Sequence, residues 1–249
     1  MSVRSAAENA AAREAILARV REALRVPAPL PHFAGEAAAT APDPAGRPAL
    51  AILPAEAGRP WLPDGGDSPA ESRRILAENL GRLRAVFFHV PDLPAAADCL
   101  FAQARERDWR RVAWHDHPLV REVLSGIPCS THQIDQAGEA FDKDALEACD
   151  AGITACECLV AQTGSILVSS DTCGGRAASI LPHCHVVIAM ADQVVPTLAD
   201  ALAGARERHS GTLPSMLSFI TGPSRTGDIE RILVLGAHGP KELIVILVG

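Results

Sequence analysis

The sequence lacks the features that mark several common classes of protein. It has no tyrosine, and aromatic residues make up only 4% of its 249 residues. A core must therefore be built from Val, Ile, Leu and Ala, as in buried parallel strands and their covering helices. The formal net charge is −7, which argues against a broad nucleic-acid surface. No apolar run approaches the length of a membrane helix, since candidates such as Leu243–Val248 have strand length.

The seven cysteines also lack an informative spacing. They are odd in number and scattered, which disfavours a disulfide framework, and no run has the spacing of an iron–sulfur cluster. Only one residue separates Cys156 from Cys158, which is less than the two to four residues between the paired cysteines of a typical zinc site. The segment Leu181–His185 is therefore interpreted as buried cysteine and hydrogen-bonded histidine, not as metal ligands. The first residues are not apolar, so we expect a cytosolic protein. From the cysteine spacing we expect neither a metal nor a cofactor.

Composition divides the chain into three segments. Residues 1–26 read as a helical arm, residues 27–66 as a Pro/Gly/Ala-rich connector containing the short apolar run Leu50–Leu53, and residues 67–249 as an α/β domain. We expect the arm to dock on its own domain or on a partner, because its apolar stripe must be buried somewhere. That stripe consists of Leu17, Val20 and Leu24.

Helices and strands alternate along the third segment. Ser68, Pro69 and Glu71 form a helix start. Strands are expected at Ala85–Val90, Arg111–Trp114, Ser165–Ser169, Val186–Met190, Met216–Thr221 and Leu243–Val248. Helices are expected at Pro94–Arg107, Pro118–Leu124, Thr197–Glu207 and Arg225–Leu235. This alternation predicts a mostly parallel sheet that is covered on both faces.

Three glycine-bearing turns are the natural places for a ligand, because open α/β sheets bind ligands where strand ends meet loops. In chain order they are Gln162–Ser165, Thr172–Arg176 and Thr221–Thr226, and we expect them to lie close together. Ser224 would cap the predicted following helix, whose dipole favours an anion, and Arg225 adds a positive charge. A plain capped joint explains the same residues equally well. His238 has a structural alternative too, as a donor to a helix carbonyl. The candidate ligand-binding residues are Gln162, Thr163, Gly164, Ser165, Arg176, Gly222, Ser224, Arg225, Thr226 and His238.

Several segments resemble the lactate utilization protein C family, which carries the LUD domain. Gly152–Thr154 and Ala161–Ser165 are similar to its G-[IV]-T-x-A-[DE] … A-E-T-G-[ST] signature. Arg176–Ser179 continues the match, and Gly222–Thr226 is its most specific piece. The resemblance is dense from Gly152 to Val248 and loose over the connector.

The resemblance implies a phosphosugar-isomerase and CoA-transferase-like fold, which is a Rossmann-like three-layer α/β/α arrangement. It also implies a cluster-free subunit of a bacterial system that oxidises L-lactate to pyruvate with iron–sulfur partner subunits. The family usually has Glu where this chain has Gln162. In related CoA-transferases a loop Glu is the nucleophile, and an amide cannot replace it, although Gln162 can still hydrogen-bond a ligand.

Three functions remain open at this level. The first is a non-redox subunit that binds its iron–sulfur partners and a small anion or nucleotide. The second is an autonomous enzyme of the CoA-transferase or cyclo-ligase kind that acts on an acyl or phosphate-bearing substrate. The third is a ligand sensor whose N-terminal arm reports occupancy of the cleft.

The cysteine spacing and the lack of a dinucleotide fingerprint predict that the protein binds no redox cofactor. The purified protein should be colourless and should not, by itself, reduce a dye with lactate. A visible iron–sulfur or flavin spectrum at near-stoichiometric occupancy would contradict this expectation.

Overall fold

A computed structural model describes residues 6–23, 25, 63–134, 142–210, 212–226, 234–235 and 239–249. The chain divides into two compact units, Met1–Gly58 and Arg59–Gly249. In the first unit, the predicted helix is present, and its Ile16 side chain is exposed. The side chains of Val20 and Leu24, and the run Leu50–Leu53, lie outside the described residues. Docking of the arm therefore stays a prediction.

All the strands that the alternating pattern predicts are present, with the predicted helices as far as Arg208, and the structure adds one short α-helix and six further strands. The helices are α1 Ala6–Ala23, α2 Pro69–Arg82, α3 Leu93–Glu106, α4 Pro118–Leu124, α5 Lys143–Glu147 and α6 Leu198–Arg208. The first six strands are β1 Val86–Val90, β2 Arg111–His115, β3 Ser130–Ile134, β4 Ala151–Thr154, β5 Cys158–Val160 and β6 Ser165–Ser169. The others are β7 Cys184–Met190, β8 Val194–Val195, β9 Leu217–Ile220, β10 Arg225–Thr226, β11 Val234–Leu235 and β12 Glu242–Val248.

A six-stranded sheet with the order β1-β12-β7-β4-β2-β3 forms the centre of the second unit. Every neighbouring pair in it is parallel. The inner strands β4, β7 and β12 are buried almost throughout. Burial on both faces explains why their apolar residues run continuously and do not alternate. The prediction of an α/β fold with a mostly parallel sheet is confirmed.

Different layers cover the two faces of this sheet. On one face, Leu100 of α3 and Val120 of α4 pack against Ile153, Val186 and Ile244 of the sheet. The other face is covered by α2, by α5 and by a mixed four-stranded sheet with the order β8-β5-β6-β9. The second sheet places the loops on either side of β6 beside the central sheet, where the candidate site lies.

The start of α2 follows the sequence signal closely. The Ser68 side chain accepts a hydrogen bond from the Glu71 backbone N–H at 3.3 Å. The Glu71 carboxylate in turn accepts one from the Asp67 N–H at 3.2 Å. Leu76 and Leu80 have no exposed surface, so the cap fixes the start of the helix while its apolar stripe anchors it.

The predicted helix at Arg225–Leu235 is wrong at both of its described ends. Arg225–Thr226 and Val234–Leu235 are the short strands β10 and β11, and they pair antiparallel. Gly222 has a φ of +80° and turns the chain, and the Ser224 N–H donates to the Pro240 carbonyl at 2.9 Å. Ser224 therefore does not cap a helix, and the argument from a helix dipole at this turn fails.

Two glycines allow a matched test of the packing. A Cβ on Gly152 of β4 would lie 2.1 Å from the Ala178 carbonyl oxygen, whereas one on Gly81 of α2 would meet nothing within 4 Å. Gly152→Ala should therefore lower the free energy of unfolding by about 3 kcal/mol or more. Gly81→Ala should raise it by about 0.5–1 kcal/mol. Urea denaturation measures both, and equal midpoints for the two variants would contradict the packing described.

Candidate functional site

The first and third glycine turns meet at the end of α2. A Cβ on Gly164 would lie 3.0 Å from Leu83 Cδ1, and one on Gly222 would lie 3.1 Å from Leu83 Cβ. The φ angles of these glycines are +66° and +80°, in the region that side chains disfavour. Arg225 Nη2 donates to the Leu83 carbonyl at 2.7 Å. The expectation that these two turns lie close together is confirmed.

Three hydroxyl groups connect the same two turns. Thr163 Oγ1 lies 2.7 Å from Ser165 Oγ, and Ser165 Oγ lies 2.8 Å from Thr221 Oγ1. Ser165 is buried, Thr163 is half-buried and Thr221 is exposed. The hydroxyl chain, Thr163–Ser165–Thr221, therefore runs from one turn to the other through the interior of the second sheet.

Beside Thr221 the surface opens into a cleft of about 240 Å³. The cleft lies between β9, the third turn and the loop that leads into β7. Its polar lining is Ser179, Ser218, Thr221 and Ser224, and its apolar lining includes Ile180, Met216, Phe219 and Ile220. Gly222 and Pro240 complete the lining, so none of the lining residues carries a charge.

Two arginines flank this uncharged cleft. A Cβ on Gly222 would lie 3.1 Å from Arg225 Nη2, so the Arg225 guanidinium lies against the Gly222 end of the lining. Arg176, the last residue of the second turn, donates to the Ser215 carbonyl at 3.4 Å, next to Met216 of the lining. An apolar pocket with few polar groups and a charge at its rim suits a small molecule with an apolar body and an anionic end.

Gln162 points away from this cleft. Its side-chain N–H donates to the Pro63 carbonyl at 2.7 Å, and its carbonyl oxygen accepts from the Leu198 N–H at 3.5 Å. The buried amide therefore ties the segment before α2 to the first residue of α6. Among the other candidates, the Thr226 side chain and His238 lie outside the described residues.

Five of the seven cysteines are buried packing groups, and Cys99 and Cys129 are half-buried. Cys156 and Cys158 belong to different apolar clusters, because Cys156 lies before β5 and Cys158 begins it. Burial raises the pKa of Cys173 and of Cys184 to about 12, so both thiols stay protonated at neutral pH. Within the described part of the chain, no group of three His, Cys, Asp or Glu side chains could hold a metal ion.

One buried ionic network could not be predicted from the local sequence pattern. The Glu157 carboxylate accepts hydrogen bonds from Ser169 Oγ at 2.6 Å, Arg208 Nε at 2.8 Å and His209 Nε2 at 3.1 Å. Burial alone would raise the pKa of Glu157, but these three hydrogen bonds and the charge of Arg208 lower it overall. The network fastens the end of α6 to β6 and is a structural feature of the second sheet.

His185 of β7 is the hydrogen-bonded histidine that the sequence predicts. It is 1% exposed, and its Nε2 lies 2.9 Å from Thr154 Oγ1 on the neighbouring strand β4. No described group bonds its Nδ1. Burial lowers the pKa of His185 to about 4, so this imidazole is neutral at physiological pH.

The fold is that of an α/β protein with an uncharged surface cleft beside its second sheet. Residues 109–248 match the LUD domain family, so the chain belongs to that family. Among curated relatives, lactate utilization protein C of Geobacillus kaustophilus is 37% identical over 52% of this chain and 55% of its own length. The protein of the same name from Bacillus subtilis is 34% identical over 50% and 52%. The chain thus spans about half the length of these relatives.

A structural neighbour supports the fold. The crystal structure of a DUF162 family protein from Deinococcus radiodurans is similar, with a TM-score of 0.57 and 22% identity. The similarity covers 73% of this chain and 99% of that protein. Among the described residues, no helix is both long and apolar enough to span a bilayer.

The buried histidine makes stability depend on pH. The folded pKa of about 4 lies below the ordinary value of 6.5, so between these values the unfolded chain binds more protons. The contribution of His185 to the free energy of unfolding should therefore be fully present above pH 6.5 and should fall by up to about 3 kcal/mol toward pH 4. His185→Gln retains a polar contact with Thr154 but removes the titration. Its loss of stability between about pH 7 and pH 5, measured by urea denaturation, should be smaller than in the wild type.

The exposed neighbour His183 provides the matched control. His183→Gln replaces an exposed histidine two positions before His185. It should retain the wild-type pH dependence. An unaltered pH dependence in folded His185→Gln would show that another group causes the loss.

Proposed function

We propose that this protein works in lactate utilization, as a component that binds lactate or pyruvate in the cleft beside Thr221. The observation that carries the proposal is the position of Arg225. Its guanidinium is held by the Leu83 carbonyl and lies against Gly222, at the edge of a lining that is otherwise uncharged. The role in lactate utilization is inferred from the relatives, which are lactate utilization proteins C.

The cleft matches the chemistry of a short 2-substituted carboxylic acid. A guanidinium has five N–H donors, and the bond to Leu83 uses one of those on Arg225, so others remain for a carboxylate. Hydroxyls such as that of Thr221 offer contacts for the oxygen at carbon 2. Met216, Phe219 and Ile220 offer apolar contact for a methyl group. Recognition of the acid thus needs one charge, one hydroxyl and a small apolar surface.

The partners follow from the same proposal. Oxidation of lactate to pyruvate releases two electrons, and this chain has no cysteine run with cluster spacing. Iron–sulfur subunits in the cytoplasm would then take the electrons, while this component holds the organic acid. The rival function as a covalent CoA-transferase is disfavoured, because the Gln162 amide is buried, bonded at both ends and not nucleophilic.

Calorimetric titration of the purified protein with lactate and with pyruvate tests the carboxylate contact. Arg225→Ala should weaken both affinities on the order of 10- to 100-fold, the range for a charged hydrogen bond. Arg110→Ala is the matched control, because Arg110 is an exposed arginine whose side chain, among the described residues, forms an ion pair with Asp108 and no other. Equal affinities for both variants and the wild type would reject Arg225 as the anchor.

The partner proposal has its own test. Tagged protein purified from lactate-grown cells should retain iron–sulfur subunits, detected by mass spectrometry and by an electron paramagnetic resonance signal after reduction. The same tag on an unrelated protein gives the background. Recovery of the protein alone, under conditions in which lactate is being consumed, would contradict its role as a subunit.

A further inference from the structure

The hydroxyl chain Thr163–Ser165–Thr221 has a directional property. Among the described residues, its three hydroxyls have no other partners except each other. Ser165 is 2% exposed, and an unused buried O–H is costly. Ser165 therefore donates to one neighbour and accepts from the other, so the hydrogen bonds of the chain all run the same way.

Two directions are available, and they change what Thr221 offers to the cleft. When Thr163 donates to Ser165 and Ser165 donates to Thr221, the O–H of Thr221 is free to donate to a ligand. When Thr221 donates to Ser165 and Ser165 donates to Thr163, a lone pair of Thr221 is free to accept. Thr163 is half-buried, so water can satisfy its unused group in either direction at little cost.

We propose that Thr221 contacts the oxygen at carbon 2 of the ligand and that the direction of the chain decides whether it can bind a 2-oxo acid. The carbonyl of the oxo acid only accepts, so Thr221 must donate to it. The hydroxyl of the matching 2-hydroxy acid both donates and accepts, so it is bound in either direction. Thr221 is adjacent to Gly222, against which the Arg225 guanidinium lies, so carboxylate and 2-oxygen are recognised side by side. This inference rests on the proposed function.

The inference assigns different roles to the three residues. Thr221 lines the cleft and contacts the ligand. Ser165 and Thr163 are positioning residues, since they act only through Thr221. Thr163 also determines selectivity, because it is the only described alternative to Thr221 as an acceptor for the Ser165 proton.

The first experiment compares lactate, pyruvate and propionate, which lacks the 2-oxygen, by calorimetry or ligand-observed NMR. The wild type should bind lactate and pyruvate about 3- to 10-fold more tightly than propionate, as one neutral hydrogen bond provides. Thr221→Val should bind all three acids with the affinity that the wild type has for propionate. The control Thr212→Val, at an exposed threonine outside the lining, should retain the preference.

The second experiment removes the outer end of the chain without altering the cleft. In Thr163→Val the buried Ser165 proton has only Thr221 as acceptor, so Thr221 is held as a donor. Pyruvate binds only in this direction, whereas lactate binds in both. The ratio of pyruvate affinity to lactate affinity should therefore rise about 2-fold over a wild type in which the two directions are equally populated, and more where the other direction prevails. An unchanged ratio in the folded variant would overturn the directional chain.

The outcomes separate this inference from the proposed function. If the wild type binds none of the three acids, the proposed function fails and takes the inference with it. If the wild type binds all three equally and Arg225→Ala weakens all three, the proposed function stands and the inference is overturned. If Thr221→Val retains the preference for the two oxygenated acids, Thr221 is not their contact.

Discussion

The contact on which the candidate site depends is the hydrogen bond from Arg225 to the Leu83 carbonyl. The last carbonyls of a helix have no partner within the helix, and the helix dipole makes this end negative. Arg225 satisfies one such group at the end of α2, and the bond also fixes the guanidinium in place. Gly164 and Gly222 allow two turns to approach Leu83 closely enough for the arrangement to form. The C-terminal end of α2 thus holds a cationic side chain from a distant turn. The sequence predicted the opposite arrangement, in which a helix N-terminus at Ser224 would hold an anion.

Buried polar groups join the layers of the second unit around this contact. The Gln162 amide links the segment before α2 to α6. The Glu157 carboxylate links β6 to the end of α6, and His185 links β7 to β4. Each is nearly inaccessible to solvent, so the loss of its partner would leave an unsatisfied group in the interior. Gln162 and Glu157 thus hold α6 against the loops and strands of the second sheet, whereas His185 fastens two strands of the central sheet.

The cleft has few means of recognition. Its lining is uncharged, and the arginines lie at its margins. Under the proposed function, discrimination between the members of a hydroxy-acid and oxo-acid pair rests on hydroxyl groups, because the direction of a chain of hydrogen bonds decides whether its last hydroxyl can donate. An additional fixed charge would favour neither member, because both carry the same carboxylate.

Features of the fold that depend on neighbouring residues could be predicted from the sequence. The Ser68 cap, the start of α6 at Thr197, the continuous apolar runs of β7 and β12 and the turn glycines are each set by residues within a few positions of one another. These were sufficient to predict the alternating elements and the parallel sheet. The family resemblance came from motifs of the same short range.

Features that depend on partners far away in the sequence became visible in the folded chain alone. β3 and β4 were missed because their short segments, one polar at a sheet edge and one containing Gly152, acquire strand geometry from their neighbours. The dipeptide Arg225–Thr226 pairs with Val234–Leu235 as strands although the local pattern favours a helix. Gln162 was placed among ligand contacts, yet its partners are Pro63 and Leu198. A local pattern contains the propensity of a segment but not the identity of the group it meets, and hydrogen bonds between distant residues outweigh propensities of a few tenths of a kcal/mol per residue.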